Sequence, residues 1–198
     1  MAGATGVGAP STSKGDRTRR RLLDAAAAEV ARVGAAGASL SGIAAAAGLK
    51  TGSIYFHFAS KDELIATMLE EGLRESLRLL DEALAAVADL DAGARLRAGV
   101  RAHLRALHEL GDYAAVVLAQ GAAEVPAAAA FPRLRRAHVG RWTELVADAQ
   151  AAGVLAGGLD PRDARDLLFG AMNSALGRPG WSPEGTASAL CRMLRLDG

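Results

Sequence analysis

A chain of 198 residues that is 51% apolar can fill one large core or two modest ones, but aromatics at 4% leave Leu, Val and Ala to pack it. The net charge of +1 excludes a nucleic-acid coat protein, yet Met1–Lys61 holds 8 Lys/Arg against 3 Asp/Glu and the remainder 15 against 19, so only the front suits a polyanion. Cys191 is the single cysteine, which excludes an intramolecular disulfide and speaks against a cysteine metal cluster.

Residues 1–15, rich in Gly, Ala, Ser and Thr, lack the charged-then-apolar order of a signal peptide and read as a disordered tail. From Arg17 onward the spacing is helical. Leu22, Ala26, Val30 and Val33 share one face until Gly34 and Gly37 interrupt it. Arg17, Arg19, Arg20 and Arg21 crowd the start, where the helix dipole favours acids, and this points to an external anion. A second helix is expected over Leu40–Ala46, capped by Ser39 and ended by Gly48. A third covers Lys50–Phe56, anchored by Leu49 and Ile54. Ser60 and Glu63 form a capping box for a long helix whose stripe is Leu69, Leu73, Leu77, Leu80, Leu84 and Val87.

Further helices are expected over Ala92–Leu110, Asp112–Glu124, Phe131–Ala152, Pro161–Leu176 and Pro183–Leu196, with loops at Val125–Pro132 and Gly177–Trp181. The most apolar stretch, Tyr113–Phe131, contains Gln120, Glu124 and Pro126, which argues against a membrane span and for a cytoplasmic protein. The fold class is all-α, with about nine helices.

Three short helices with a glycine turn between the second and third describe a helix-turn-helix, in which the third is braced to present its outer side chains to the DNA major groove. With Leu49 and Ile54 turned inward, the outer set is Lys50, Thr51, Gly52, Ser53, Tyr55 and Phe56. Lys50 can donate to a guanine edge or a phosphate, Thr51 and Ser53 can reach bases or phosphates, and Gly52 permits close backbone approach.

Ser39-Leu40-Ser41-Gly42-Ile43-Ala44, Ala47 through Phe58, and Ser60-Lys61-Asp62-Glu63-Leu64 together resemble the TetR/AcrR signature. The resemblance covers Arg17 to about Leu69. It implies that Tyr55 and Lys61 contact the phosphate backbone, that Ser39 brings its hydroxyl to a phosphate, and that Lys50, Thr51, Ser53 and Phe56 form the variable reading surface. Two residues depart from the family pattern: Gly42 stands where a polar or acidic residue is usual, and Lys50 where a small hydroxyl residue is.

The expected organisation is a helix-turn-helix domain over residues 16–62 and an effector-binding, dimer-forming helical bundle over 63–198. Ala164, Leu167, Leu168, Ala171, Met172 and Ala175 are too broad for one amphipathic stripe, so their helix is expected to face both its own core and a second copy of the chain, with Phe131–Ala152 as companion. Leu-Leu-Phe-Gly-Ala-Met-Asn at 167–173 and Gly-Arg-Trp at 140–142 resemble a branch of the family that controls steroid or fatty-acid breakdown, whose members can respond to acyl-CoA thioesters. That resemblance implies an apolar or acyl-CoA-like effector, with Arg141, Trp142 and Arg178 holding its anionic head group and Asn173 nearby.

His103 and His108 miss the spacing of two metal ligands on one helix, and no metal or cofactor is expected. An enzyme is the weaker reading, since the chain has no phosphate loop, nucleophile elbow, His-Glu-x-x-His or Cys pair. A helical interaction module without DNA binding is the other alternative, against which Tyr55, Lys61 and the arginine run speak.

Overall fold

The computed structural model describes residues 13–119 and 130–196. Eight α-helices and one 3₁₀ helix account for the regular structure among them, with no strand. The first helix, α1 (Lys14–Gly37), starts earlier than its periodicity predicts because Ser13 and Asp16 cap each other's backbone N–H at 3.0 Å. Residues 13–15 therefore belong to the helix and its cap, and residues 1–12 of the expected tail lie outside the described residues. Gly34, at φ 75° and ψ 163°, breaks α1 where expected, and Ala38 N–H returns to its carbonyl.

Helix α2 (Leu40–Ala46) has the expected bounds, and Ser39 Oγ accepts from Gly42 N–H at 3.0 Å. Gly48, at φ 63°, turns the chain out of it through a 2.8 Å bond from Leu49 N–H to the Ala44 carbonyl. A Cβ on Gly42 would stand 2.7 Å from Glu29 Oε1, so the departure from the family pattern makes room for Glu29, which is paired with Arg32.

The third element is wound more tightly than an α-helix: it is a 3₁₀ helix over Thr51–Phe56, with Lys50 at its cap. Six residues that include Gly52 and β-branched Thr51 and Ile54 have weak α propensity, and 3₁₀ winding is favoured only in such short pieces. Ile54, fully buried, pins it to α1 and α2.

Ser60 opens α3 (Lys61–Ala85) by accepting from Glu63 N–H at 3.1 Å, while Glu63 reaches back to Ala59 N–H, one residue beyond the usual box. Then follow α4 (Ala92–Leu110), α5 (Asp112–Ala119), α6 (Phe131–Ala151), α7 (Pro161–Asn173) and α8 (Pro183–Met193). Asp91, Asp160 and Ser182 cap α4, α7 and α8. Residues 120–124 of the expected fifth segment and 125–129 of the expected loop lie outside the described residues, and Phe131 and Pro132 open α6.

Two apolar clusters form the core. The front one joins Leu22, Leu23, Ile43, Ile54 and Phe58 to Leu64, Met68, Leu69 and Leu73 of α3, and takes in Tyr113 and Val116 of α5. It therefore runs across residue 62, and α3 is a shared beam rather than the start of a separate body. The rear cluster gathers Leu80, Leu96, Val100, Leu104, Trp142, Leu145, Val146, Leu168 and Met172. Each such side chain contributes roughly 1.5–3 kcal/mol on burial. Gly99 lets α4 and α6 approach closely, since a Cβ there would lie 2.6 Å from Leu145 Cδ2.

Trp142, Leu145, Val146 and Ala149 of α6 are all buried inside this one chain, so this face of α6 serves the chain's own core, where the helix packs against α7. Exposed apolar side chains of the rear half include Leu90 and Leu159 in connections, Leu167 of α7, 66% exposed beside Gly170, Ala171 and Ser174, and Met193 of α8, 68% exposed beside Ala189. No helix among the described residues is long and apolar enough to cross a membrane.

Candidate nucleic-acid interface and interior cavity

The 3₁₀ helix stands on the surface with Ile54 inward and its remaining side chains outward. Lys50, Thr51 and Gly52 are exposed and Ser53 is half-buried. Tyr55 is 60% and Phe56 88% exposed, unusual for rings this large. No atom lies within 4 Å of a Cβ built on Gly52, so that side of the element is open for close approach. Phe58, by contrast, is core. Ser39 is exposed at the start of α2, its Oγ occupied by Gly42 N–H and 3.1 Å from Ser41 Oγ.

Lys61 does not project freely. Its Nζ donates to the carbonyls of Ala35 and Ala38 at 3.2 and 3.0 Å, closing the corner between α1 and α2. The arginine run divides. Arg17 is exposed, but Arg19 forms a 2.6 Å ion pair with Glu71 of α3 and lies 5.1 Å over the Phe58 ring. Arg20 pairs with Asp24 at 3.1 Å and Arg21 donates to the Ala47 carbonyl. The unfavourable placement of these cations at a helix start is thus answered largely by internal acceptors.

Behind this surface, α3 to α7 line a cavity of about 590 Å³ that is partly open to solvent. Its wall is mainly apolar, from Leu73, Leu107, Leu110, Val117, Val139 and Phe169. Polar groups enter at a few points. His103 Nε2 bonds Asn173 Oδ1 at 2.8 Å, and Ser76 Oγ stands 3.4 Å from His138 Nε2. Burial lowers the pKa of His103, with the Asn173 bond opposing, and pushes His138 down to about 4, His103 adding to the effect. The Phe169 ring stacks on both imidazoles at 5.3 and 5.7 Å, and Trp142 meets it edge-on.

Arg165, 9% exposed, also lines the cavity but is held by Asp166 and Thr143, each at 2.7 Å. Arg135 and Arg136 line it from exposed positions and make no ion pair among the described residues.

Of the residues expected to hold an effector, Asn173 lines this cavity. Arg141 lies at the surface in a 3.0 Å pair with Asp81, Trp142 is wholly buried behind the cavity wall, and Arg178 is exposed in the α7–α8 connection. Arg135, Arg136 and the two histidines carried no local signal, because residues separated by 35 positions meet only when α4 and α6 pack. The two imidazole rings are 6.3 Å apart.

Tyr113 connects the two regions. It lines the cavity from α5, its Oη donates to Asp24 Oδ1 of α1 at 2.9 Å, and Arg20 lies 5.6 Å over its ring. Burial, then the Asp24 bond, raise its pKa, so the phenol stays protonated and donating. Gly72 makes its seat, since a Cβ there would stand 3.1 Å from the Tyr113 ring.

Comparison with known proteins agrees with this arrangement. Residues 22–68 match the bacterial regulatory proteins of the tetR family, and residues 89–189 match the tetracyclin repressor-like C-terminal domain. The chain is 35% identical over 161 residues to the HTH-type transcriptional repressor SCO4008 of Streptomyces coelicolor, covering 78% of this chain and 74% of that protein. Its fold is shared by the ketosteroid transcriptional regulator KstR2 of Mycobacterium tuberculosis, with TM-score 0.76, 22% identity, and 89% and 93% of the two chains covered. It is shared as well by the transcriptional regulator FadR of Bacillus subtilis, solved with stearoyl-CoA, with TM-score 0.66, 18% identity, and 88% and 96% covered. The chain belongs to the TetR family, and it is a DNA-binding transcriptional regulator with a helix-turn-helix at its front.

Proposed function

We propose that this protein is a ligand-released repressor that binds a near-palindromic operator as a homodimer. Residues 16–62 read the DNA and residues 63–198 sense the effector and pair the two copies. The pairing surface is the exposed face of α7 and α8, where Leu167 and Met193 are flanked by small residues that let helices approach. The two 3₁₀ helices then enter successive major grooves roughly 34–36 Å apart. Lys50, Thr51, Gly52, Ser53 and Phe56 face base edges, while Ser39, Tyr55, Lys61 and Arg17 meet phosphates. Arg19 contributes by fixing α1 rather than by touching DNA, since its charge is matched by Glu71. The protein acts in the cytoplasm as a regulator, not as an enzyme.

The effector is an apolar molecule with an anionic head, of which an acyl-CoA thioester is the leading candidate. Support comes from the apolar wall of the cavity and from Arg135 and Arg136 beside it. Asn173 is the polar anchor inside, while Arg141 is paired with Asp81 at the surface and Arg178 is exposed in the α7–α8 connection.

The observation that carries this reading is the bond from Tyr113, a wall residue, to Asp24 on α1. A ligand that displaces the Tyr113 ring breaks that bond and lets α1, with the front of α3 still paired to it, turn relative to α5 and the cavity wall. Release requires the ligand to favour the turned arrangement over the one that fits DNA. Titrating acyl-CoA thioesters of increasing chain length into the complex with the gene's own upstream region tests this. Dissociation at a defined length is expected, and unchanged DNA affinity at saturation with every length would remove this effector class.

A further inference from the structure

We infer that Phe56 reads a thymine in each half-site through its 5-methyl group. This rests on the proposed reading that the 3₁₀ helix enters the major groove. Three residues per turn bring side chains three apart into line along such a helix. Lys50, Ser53 and Phe56 therefore form one column, a charge at one end and an 88% exposed ring at the other. Ile54, off this column, is the residue that turns inward, while Thr51 stays exposed.

A phenyl ring has no donor or acceptor, so neither a phosphate oxygen nor the polar edge of guanine, adenine or cytosine gives it a partner. The thymine methyl is the one apolar group that a base pair offers in the major groove. Phe56 does not pack into the core, since the neighbouring Ile54 and Phe58 already fill that role. An exposed ring this large on the reading surface of a DNA-binding element is accounted for by burial against such a methyl on binding. The 3₁₀ winding decides the matter: it lines the ring up with Lys50 and Ser53.

The test uses the full-length protein and a duplex that it selects itself from a random pool. Each thymine of a half-site is replaced in turn by deoxyuridine, which removes the methyl and leaves every hydrogen-bonding group in place. Affinities are measured for the wild type and for Phe56→Ala, which keeps the fold because the ring is 88% exposed and outside the core. At one thymine per half-site the wild type should lose about three- to ten-fold on replacement. Phe56→Ala should bind the thymine and uracil duplexes equally there, having already lost a similar factor. Equal weakening of every duplex by Phe56→Ala, or none, overturns the inference while DNA binding stands. A pool from which the wild type selects no sequence overturns the DNA-binding reading and this inference together.

Discussion

The phenolic oxygen of Tyr113 donates a 2.9 Å hydrogen bond to the Asp24 carboxylate, and with it a wall of the interior cavity is fastened to the helix that carries the helix-turn-helix. The same corner holds Arg20 over the Tyr113 ring, and Arg19 and Arg20 beside Glu71 of α3 at 2.6 and 3.7 Å. Front and rear therefore meet in a polar knot laid over a continuous apolar core.

Tyr113→Phe removes this bond and keeps the ring. Asp24 remains partly in water, so the loss should be about 1 kcal/mol, near the centre of what one hydrogen bond contributes. In the released-repressor reading, that shift lowers the effector concentration for half-release of DNA about five-fold. Fluorescence anisotropy of a labelled operator checks it, and an unchanged release curve would separate this bond from the response.

Lys61 is tied to the Ala35 and Ala38 carbonyls, whereas Lys50 is exposed at the start of the reading element. Lys61→Ala should weaken all DNA sequences alike and reduce the slope of log K against log salt by about 1 if the ammonium also meets a phosphate. A lower Tm with an unchanged slope would assign it to the helix corner alone. Lys50→Ala should instead alter the sequence preference recovered from a random pool.

His138 titrates near 6.5 in the unfolded chain and at about 4 in the folded one, burial being the main cause and His103 the second. Unfolding therefore takes up a proton between these values, and stability should fall as pH drops through that window, by at most about 3 kcal/mol from this residue. Above pH 6.5 the contribution is flat. His138→Phe should flatten the decline in Tm between pH 6.5 and 4, and an identical profile would show that the imidazole is not buried as described.

Gly99→Val places a branched side chain against Leu145 Cδ2, which a Cβ alone would approach to 2.6 Å, and against the Trp142 ring at 3.4 Å. Neither neighbour has room to retreat, since both are buried. Destabilisation of about 1–3 kcal/mol is expected in urea unfolding, with the slope unchanged.

Much of this protein was legible along the chain. Ser39, Gly48 and Ser60 act through backbone groups within a few residues, so their caps and turns can be read locally, and the helix starts at Leu40, Ala92, Phe131, Pro161 and Pro183 lie where periodicity and capping put them. The spacing of Ala47 to Phe58 likewise carries the helix-turn-helix, because a braced reading element depends on which neighbours turn inward. Other features depend on what lies across the core. Whether the arginines of α1 face DNA or Glu71, whether Trp142 lines a cavity or lies behind its wall, and that His103 meets His138 were decided by the packing of α3, α4 and α6. Periodicity states which face of a helix is buried, but not against which partner, and a site assembled from several helices exists only once those partners are chosen.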